Sequence, residues 1–338
     1  MKAAIVDPMG LENLHIVDLP EPQAGPGEVV VAMKAASLNF RDLLAVKGGY
    51  GSMQKQEKLI PLSDGAGEVI AVGPGVSAWK AGDRVLGCFF PDWQAGPLRR
   101  EAVGTDLGGG YDGVAVEKRV FRSDALVPLP DDLSFVEGAA LPCAAATAWN
   151  AVIEKGGVGP GDRVLIQGTG GVSLFALQFA KMAGAEVFAI SSSAEKLALM
   201  QAQGAQHLVN YKDEPEWGKA VMKLSRGRGM THAIEIGGAE TLKQTMRSMA
   251  PGGFIAMIGM VTGPKAEMNL PIIAMQEFKL EGATAGSRLS LQRLVDAMAA
   301  NGVKPVIEDK RFGLDDLKAG LEYLARGEHV GKVCIDIG

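Results

Sequence analysis

Apolar and polar positions along this chain fall into three regimes. Up to about residue 125 the apolar runs are short and broken by glycine and proline. Residues Glu28 to Lys34 (EVVVAMK) predict a strand between Pro26-Gly27 and a turn near Ser37. Gly65 to Val72 and Arg84 to Phe90 predict two more, joined through Gly73-Pro74-Gly75 and Ala81-Gly82. Asn39 to Val46 reads as a short helix that Asn39 is able to cap. Pro91 to Gly110 is polar and glycine-rich, which predicts a long surface loop of the kind that usually serves a function.

From about Ser134 to Gly286 helix and strand patterns alternate. The organising stretch is Val164 to Ser193, VLIQGTGGVSLFALQFAKMAGAEVFAISSS. Val164 to Ile166 is a short apolar run, followed by a glycine turn. Val172, Phe175, Ala176, Phe179 and Met182-Ala183 then recur at three- and four-residue steps, which is helical spacing. Gly184 stops that helix, as glycine commonly does just past a C-terminus, and Val187 to Ile190 is the next strand. Strand, tight turn, helix and strand in about 30 residues make a right-handed βαβ unit. A helix at Ala194–Gln203, a strand at His207–Tyr211, a helix around Trp217–Leu224 and a strand at His232–Ile236 follow. A helix at Thr241–Met249 and strands at Gly253–Gly259 and Leu280–Ala285 complete the series. The third regime, 287–338, predicts helices at Leu291–Ala300 and Leu314–Arg326. It ends in an apolar strand, Val330–Ile337, expected to return to the first domain.

The fold class that follows is α/β. A Rossmann domain with a doubly wound parallel sheet, residues 126–286, lies between a mostly-β part, residues 1–125, and a C-terminal part, residues 287–338. Composition narrows the function. The net charge is −5 with no basic block, which argues against a nucleic-acid partner. No run approaches the roughly 18 apolar residues of a membrane helix. Asp7 and Pro8 come too soon for a signal-peptide apolar region. Cys88, Cys143 and Cys334 are far apart and form no CxxC pair, so no disulfide framework or compact zinc knuckle is expected. Together these features point to the cytoplasm.

The glycine turn carries the first chemistry. A dinucleotide's pyrophosphate is an anion, and a helix N-terminus offers free N–H groups and a positive dipole end. Gly168 lets the chain turn sharply, and Gly170 lets backbone approach phosphate with no Cβ in the way. Gly171 and Val172 continue the turn and are expected to contact the cofactor with Gly168 and Gly170. Ser173 stands where the usual G-x-G-x-x-G has its third glycine; it is small, so a slight shift is expected and not a lost site. An NAD-selective site usually ends its second strand in Asp or Glu, about 20 residues past the first glycine. Here the strand ends in Ser191-Ser192-Ser193, and the first acid, Glu195, fits a capping box with Ser192. The missing acid favours NADPH.

In order and spacing, AASLNFRDLLAVKGGY, PLSDGAGEVIAVGPGV, KAGDRVLG, LPCAAATAWNAV, GDRVLIQGTGGVS, LVNYKDE, APGGFIAMIG, TAGSR and HVGKVCID resemble the medium-chain dehydrogenase/reductase superfamily over essentially the whole chain. Within it the resemblance is to the zinc-free quinone oxidoreductase and enoyl-reductase branch. It implies a GroES-like catalytic domain, a Rossmann domain inserted in it, an active site in the cleft and a homodimer. Lys196 falls where related NADPH reductases place a cation for the 2′-phosphate, although a lysine in a first turn is ordinarily solvated surface. Thr147, Ser192, Tyr211, Gly259 and Lys332 fall at further cofactor-contacting positions. Tyr211 reads equally well as a strand-end tyrosine with its hydroxyl in water.

Zinc alcohol dehydrogenases of this superfamily hold a catalytic metal with Cys, His and Cys or Asp. The matching positions here are Asn39, Ser63 and Cys143, and Asn and Ser are poor zinc ligands, so no metal is expected. Without a Lewis acid, hydrogen bonds must polarise the substrate, which suits quinones and C=C bonds conjugated to a carbonyl. Candidate donors are Asn39, Tyr50 and Arg288. Tyr50, in GGYGSM, matches a substrate-facing tyrosine that can supply a proton, and a phenol is also a common packing residue. Asn39 is equally a helix cap, and Arg288 equally half of a surface ion pair. The alternatives are a zinc-independent alcohol or aldehyde oxidoreductase, or a non-catalytic NADPH-binding protein.

Overall fold

A computed structural model describes all of residues 1–338. The chain folds as two compact units, Met1–Ala146 with Ala285–Gly338, and Thr147–Thr284. No helix is long and apolar enough to cross a membrane.

The first unit is built on one ten-residue strand, Glu28–Ser37. Val29, Val30 and Val31 are buried, and their stiff, branched side chains suit a pleated surface packed on both faces. One edge of this strand pairs antiparallel with Asp64–Val72 along most of its length. The other edge is divided between two partners. Lys118–Arg122 takes Glu28 to Ala32, and Cys334–Asp336 takes Ala35 to Ser37. The C-terminal strand therefore does return to the first domain. Arg84–Gly87 and Leu126–Pro128 extend the sheet beyond Asp64–Val72. Val31, Met33, Val69, Phe121, Leu321 and Ile335 belong to its core. Truncating a fully packed side chain such as Phe121 to alanine costs about 3–5 kcal/mol.

Two expectations need correction here. The boundary expected at residue 126 lies at Thr147. Leu126–Pro128 pairs antiparallel with Arg84–Gly87, in register Leu86 to Val127, and this keeps the segment in the first unit. Ser134 then opens a helix at Phe135–Ala139 through a capping box with Glu137. The stretch from Pro91 to Gly110 is also more than surface loop. Phe90, Trp93, Ala102 and Leu107 are buried, and Phe89, Phe90, Trp93 and Ala102 cluster with Ala285 and Cys143. Their irregular spacing has no helix or strand period, so the pattern hid them.

The second unit is a six-stranded sheet. In chain order its strands are Arg163–Gln167, Glu186–Ser191, His207–Asn210, Met230–Glu235, Met249–Met257 and Lys279–Gly282. In space the order is third, second, first, fourth, fifth, sixth, and every pairing is parallel. The order reverses between the first and fourth strands, the switch point at which such sheets bind ligands. The central helix, Gly171–Met182, buries Leu174, Phe175, Leu177 and Phe179. Gly184, at φ +83°, terminates it as expected. The sixth strand lies slightly earlier than predicted and is exposed throughout.

Candidate active site

The carboxyl ends of the first and fourth strands carry the dinucleotide features. Gly168 has φ +73°, which only glycine adopts without strain. Gly170 has an ordinary extended backbone, φ −73°, and a Cβ built there meets no protein atom within 4 Å. The fold itself does not demand glycine at 170, and the space beside it is open. Gly171 is the first residue of the helix, with Val172 next. Ser173 donates its hydroxyl to the Gln167 carbonyl at 2.6 Å and is buried, so it ties helix to strand where a third glycine would allow close packing.

A brace missed by sequence reasoning joins the two strand ends. Glu235, fully buried, accepts from the backbone N–H of Gly237 and Gly238 at 2.9 Å each and from Gln167 Nε2 at 2.8 Å. Thr241 and Thr245 donate their hydroxyls to it as well. Gly259 has a packing reason of its own, since a Cβ there would lie 2.2 Å from the Ile236 carbonyl oxygen.

The second strand ends at Ser191 with no carboxylate. The following helix, Ala194–Ala202, is capped by Ser193, which accepts from Lys196 N, and not by Ser192 as expected. The helix starts at Ala194, one residue later than the S-x-x-E match assumed. Lys196 is half-buried in the first turn, and Tyr211 is 40% exposed, its N–H bonded to the Ser191 carbonyl at 3.1 Å. Thr147 is buried at the start of this unit.

In the catalytic unit the residues converge on a buried polar cluster. Asn39 sits at the N-cap of the Phe40–Val46 helix, and its N–H donates to Asp42 Oδ2 at 2.7 Å. Lys332, 2% exposed, donates to the Leu38 carbonyl at 2.7 Å and to Asn39 Oδ1 at 2.5 Å. Its Nζ lies 3.7 Å from Asp64 Oδ2. Asp64, fully buried, accepts from the Ser63 hydroxyl at 2.7 Å and the Cys143 N–H at 3.2 Å. Asn39 Nδ2 is buried without a hydrogen-bond partner.

Arg41, which sequence reasoning passed over, organises the other side of this cluster. It donates to Asp42 Oδ1 at 3.2 Å and to the Leu107 carbonyl at 2.9 Å, and pairs with Asp106. Its guanidinium lies 5.6 Å from the Tyr50 ring centre and 5.2 Å from that of Phe89. Burial pushes Asp42 up from an ordinary 3.8 to about 6, against the pull of Arg41 and with Asp64 adding to the rise. Burial also raises the Tyr50 phenol, and Arg41 opposes that rise. The only sequence signal for Arg41 was the adjacent charge pair in NFRD.

Arg288 has other partners. It opens the Arg288–Asn301 helix, its backbone N–H bonds the Trp93 carbonyl at 2.9 Å and its Nε the Leu126 carbonyl at 3.0 Å. These bonds anchor the helix start to the segment around Trp93 and to the strand Leu126–Pro128; no surface ion pair is involved.

The zinc positions do not fit zinc. Asn39 Oδ1 faces an ammonium, and Ser63 donates to Asp64. Burial first and Asp64 second push the Cys143 thiol well above its ordinary range, whereas a metal needs the thiolate. No group of three or more His, Cys, Asp or Glu side chains is arranged to hold a metal ion.

A doubly wound sheet with an open glycine turn at its switch point, together with a GroES-like unit, defines an NAD(P)-dependent oxidoreductase. Residues 25–131 match the alcohol dehydrogenase GroES-like domain family, and residues 171–300 match the zinc-binding dehydrogenase family. A zinc-type alcohol dehydrogenase-like protein of Schizosaccharomyces pombe is 42% identical over 335 residues, 97% of this chain and 96% of its own. A crystal structure of an NAD-dependent alcohol dehydrogenase superposes with a TM-score of 0.91 at 34% identity, covering 100% of both chains. A crotonyl-CoA reductase of Streptomyces avermitilis is 27% identical over 95% of this chain and 81% of its own. The chain belongs to the medium-chain dehydrogenase/reductase superfamily.

Proposed function

We propose that the protein is a zinc-independent, NADPH-dependent reductase of quinones or of C=C bonds conjugated to a carbonyl. The observation that carries this reading is the buried cluster in which Asn39 and Ser63 stand at two of the three matched metal-ligand positions, Lys332 bonds the Asn39 oxygen and burial holds the Cys143 thiol protonated. Such a cluster supplies hydrogen bonds and no Lewis acid, so it suits an acceptor that is already activated. When bound, the nicotinamide supplies the hydride. As hydride adds to carbon, the displaced electron pair collects on the carbonyl oxygen, and Asn39 Nδ2 and the Tyr50 hydroxyl stabilise it. Tyr50 then delivers the proton. Arg288 is the reserve candidate donor.

Gly168, Gly170, Gly171 and Val172 hold the pyrophosphate in this reading. Ser192, Lys196 and Tyr211 take the adenosine end, and Thr147 and Gly259 the remainder, while Lys332, expected at a cofactor position, is bonded to the Leu38 carbonyl and Asn39 Oδ1. The absent acid after Ser191 supports NADPH. NADPH consumption against quinones, enones, enoyl thioesters and aldehydes tests the substrate class. Lys196→Ala should weaken NADPH about tenfold to a hundredfold and leave NADH nearly unchanged. Equal weakening of both cofactors rejects that role for Lys196. Stoichiometric metal together with chelator-sensitive activity rejects zinc independence.

A second reading, oxidation of alcohols or reduction of aldehydes, is favoured by the names of the relatives that are similar over the full chain. Turnover of alcohols with no enone or quinone reduced would select it. We also propose a homodimer. The outer edge of Lys279–Gly282 is unpaired in the sheet, and Leu270, Met275 and Leu280 are exposed around it. A monomer mass by sedimentation rejects this assembly.

A further inference from the structure

We propose that Lys332 is a positioning residue for Asn39, its ammonium fixing and polarising the amide so that Nδ2 is presented to the acceptor oxygen. The inference rests on the reading of Asn39 as the donor to that oxygen. Its first support is the orientation of the amide. An ammonium has three N–H donors and no acceptor, so the Asn39 atom 2.5 Å from Lys332 Nζ must be the oxygen. The nitrogen is therefore turned away from Lys332, whatever else surrounds it. There it is buried and without a partner in the protein. Buried donors are almost always satisfied, and those left open by a fold call for an explanation. A substrate oxygen supplies the missing acceptor.

The second support is how firmly Lys332 is itself held. It is 2% exposed, bonded to the Leu38 carbonyl at 2.7 Å, with Asp64 Oδ2 at 3.7 Å. Asp64 is in turn held by Ser63 and by the Cys143 N–H, while the nearby Ser37 hydroxyl donates to the Ala139 carbonyl at 2.8 Å. A charge-assisted bond to an amide oxygen draws density from the nitrogen and strengthens its N–H groups as donors. Positive charge thus reaches the reacting oxygen through the amide, at a position where relatives with a metal would apply it directly. This role differs from direct contact between Lys332 and the dinucleotide, which would make the lysine matter for cofactor affinity.

The test is a double-mutant cycle with Lys332→Met and Asn39→Leu. NADPH-dependent reduction of 2-cyclohexenone and 1,4-benzoquinone is measured alongside NADPH affinity by protein fluorescence. Should Lys332→Met alone fail to fold, Lys332→Met with Asp64→Asn removes both charges together. The expected result is a kcat about 10–100-fold lower for Lys332→Met, within the range for loss of a preorganised donor. NADPH Kd should stay within about threefold, and adding Lys332→Met to Asn39→Leu should change kcat by less than about twofold, because the two act as one unit. Effects that multiply, or a large rise in NADPH Kd with kcat intact, overturn the inference and leave the substrate reading standing. If only 1-butanol oxidation is detected, the substrate reading falls. The same cycle on that reaction then decides the Lys332 role, because the alkoxide oxygen needs the same donor. No turnover of any of the three probes overturns both.

Discussion

Glu235 in the dinucleotide-binding unit and Asp42 in the catalytic unit are both fully buried carboxylates, and they are satisfied in opposite ways. Glu235 has no cation beside it. Two backbone N–H groups, an amide and two hydroxyls converge on its oxygens, from the ends of the first and fourth strands and from the helix Leu242–Ser248 with its cap Thr241. Asp42 sits among charges: Arg41 beside it, with Asp64 and Lys332 close enough to move its proton affinity. Its cluster ends in an unpaired donor on Asn39, where the Glu235 network is closed. A complete polar network rigidifies a scaffold, whereas an incomplete one keeps a group available for another molecule. On the proposed function, the first unit's cluster is where chemistry is done, and the second unit's brace holds turns in place for a ligand to land on.

The largest expected effect tests the landing site. Gly170→Val places a branched side chain in space the protein leaves empty. Dinucleotide binding should be lost with the melting temperature unchanged, and an unaltered NADPH titration would move the pyrophosphate elsewhere. Next comes Tyr50→Phe, which keeps the ring over Arg41 and removes only the hydroxyl. If Tyr50 supplies the proton, kcat falls about 10²–10⁴-fold with NADPH affinity and stability intact. A drop under about threefold would assign Tyr50 to packing against Arg41.

The third effect is on pH dependence. Asp42 has its pKa raised from 3.8 to about 6, so between those values the folded protein binds more protons than the unfolded chain. Stability from this group is therefore greatest below its unfolded pKa and is lost as pH rises through about 6. At about 1.4 kcal/mol per unit, the loss amounts to roughly 3 kcal/mol. Asp42→Asn should remove that slope from the difference between wild-type and variant melts over pH 4 to 7. A constant difference across the range would show that Asp42 titrates normally. The smallest effect tests the closed network. Glu235→Gln replaces one accepting oxygen by an amide nitrogen facing donors, at about 1–3 kcal/mol of stability. The folded variant should retain wild-type kcat, and a fall in kcat matching that of Tyr50→Phe would break the contrast between the two clusters.

The sheet of the second unit was legible because its apolar runs are short, repeated and punctuated by glycine. Trp217–Leu224 was predicted at the bounds observed, and the glycine turn at Gly168 lies where the pattern placed it. The catalytic unit was legible as strands but not as a site. Asn39, Tyr50 and Lys332 were singled out through resemblance. Arg41 and Glu235 were not, because a charged residue in a sequence gives no sign of its burial. The boundary near residue 126 failed for a related reason: Leu126–Pro128 looks like any short strand until its partner, Arg84–Gly87, is known.

The local signals in the chain were sufficient to determine the two classes of architecture, the βαβ unit and the absence of an acid after Ser191. Each depends on residue identity and short-range spacing. Tertiary structure alone decided that Lys332 comes to lie 2.5 Å from Asn39 Oδ1, 293 positions away in the chain. It does so because Cys334–Asp336 pairs with Ala35–Ser37 and carries the lysine to the end of the strand that precedes Asn39. Periodicity cannot announce a contact between segments so far apart. The long-range pairing of strands sets it, and with it which amide nitrogen is left open.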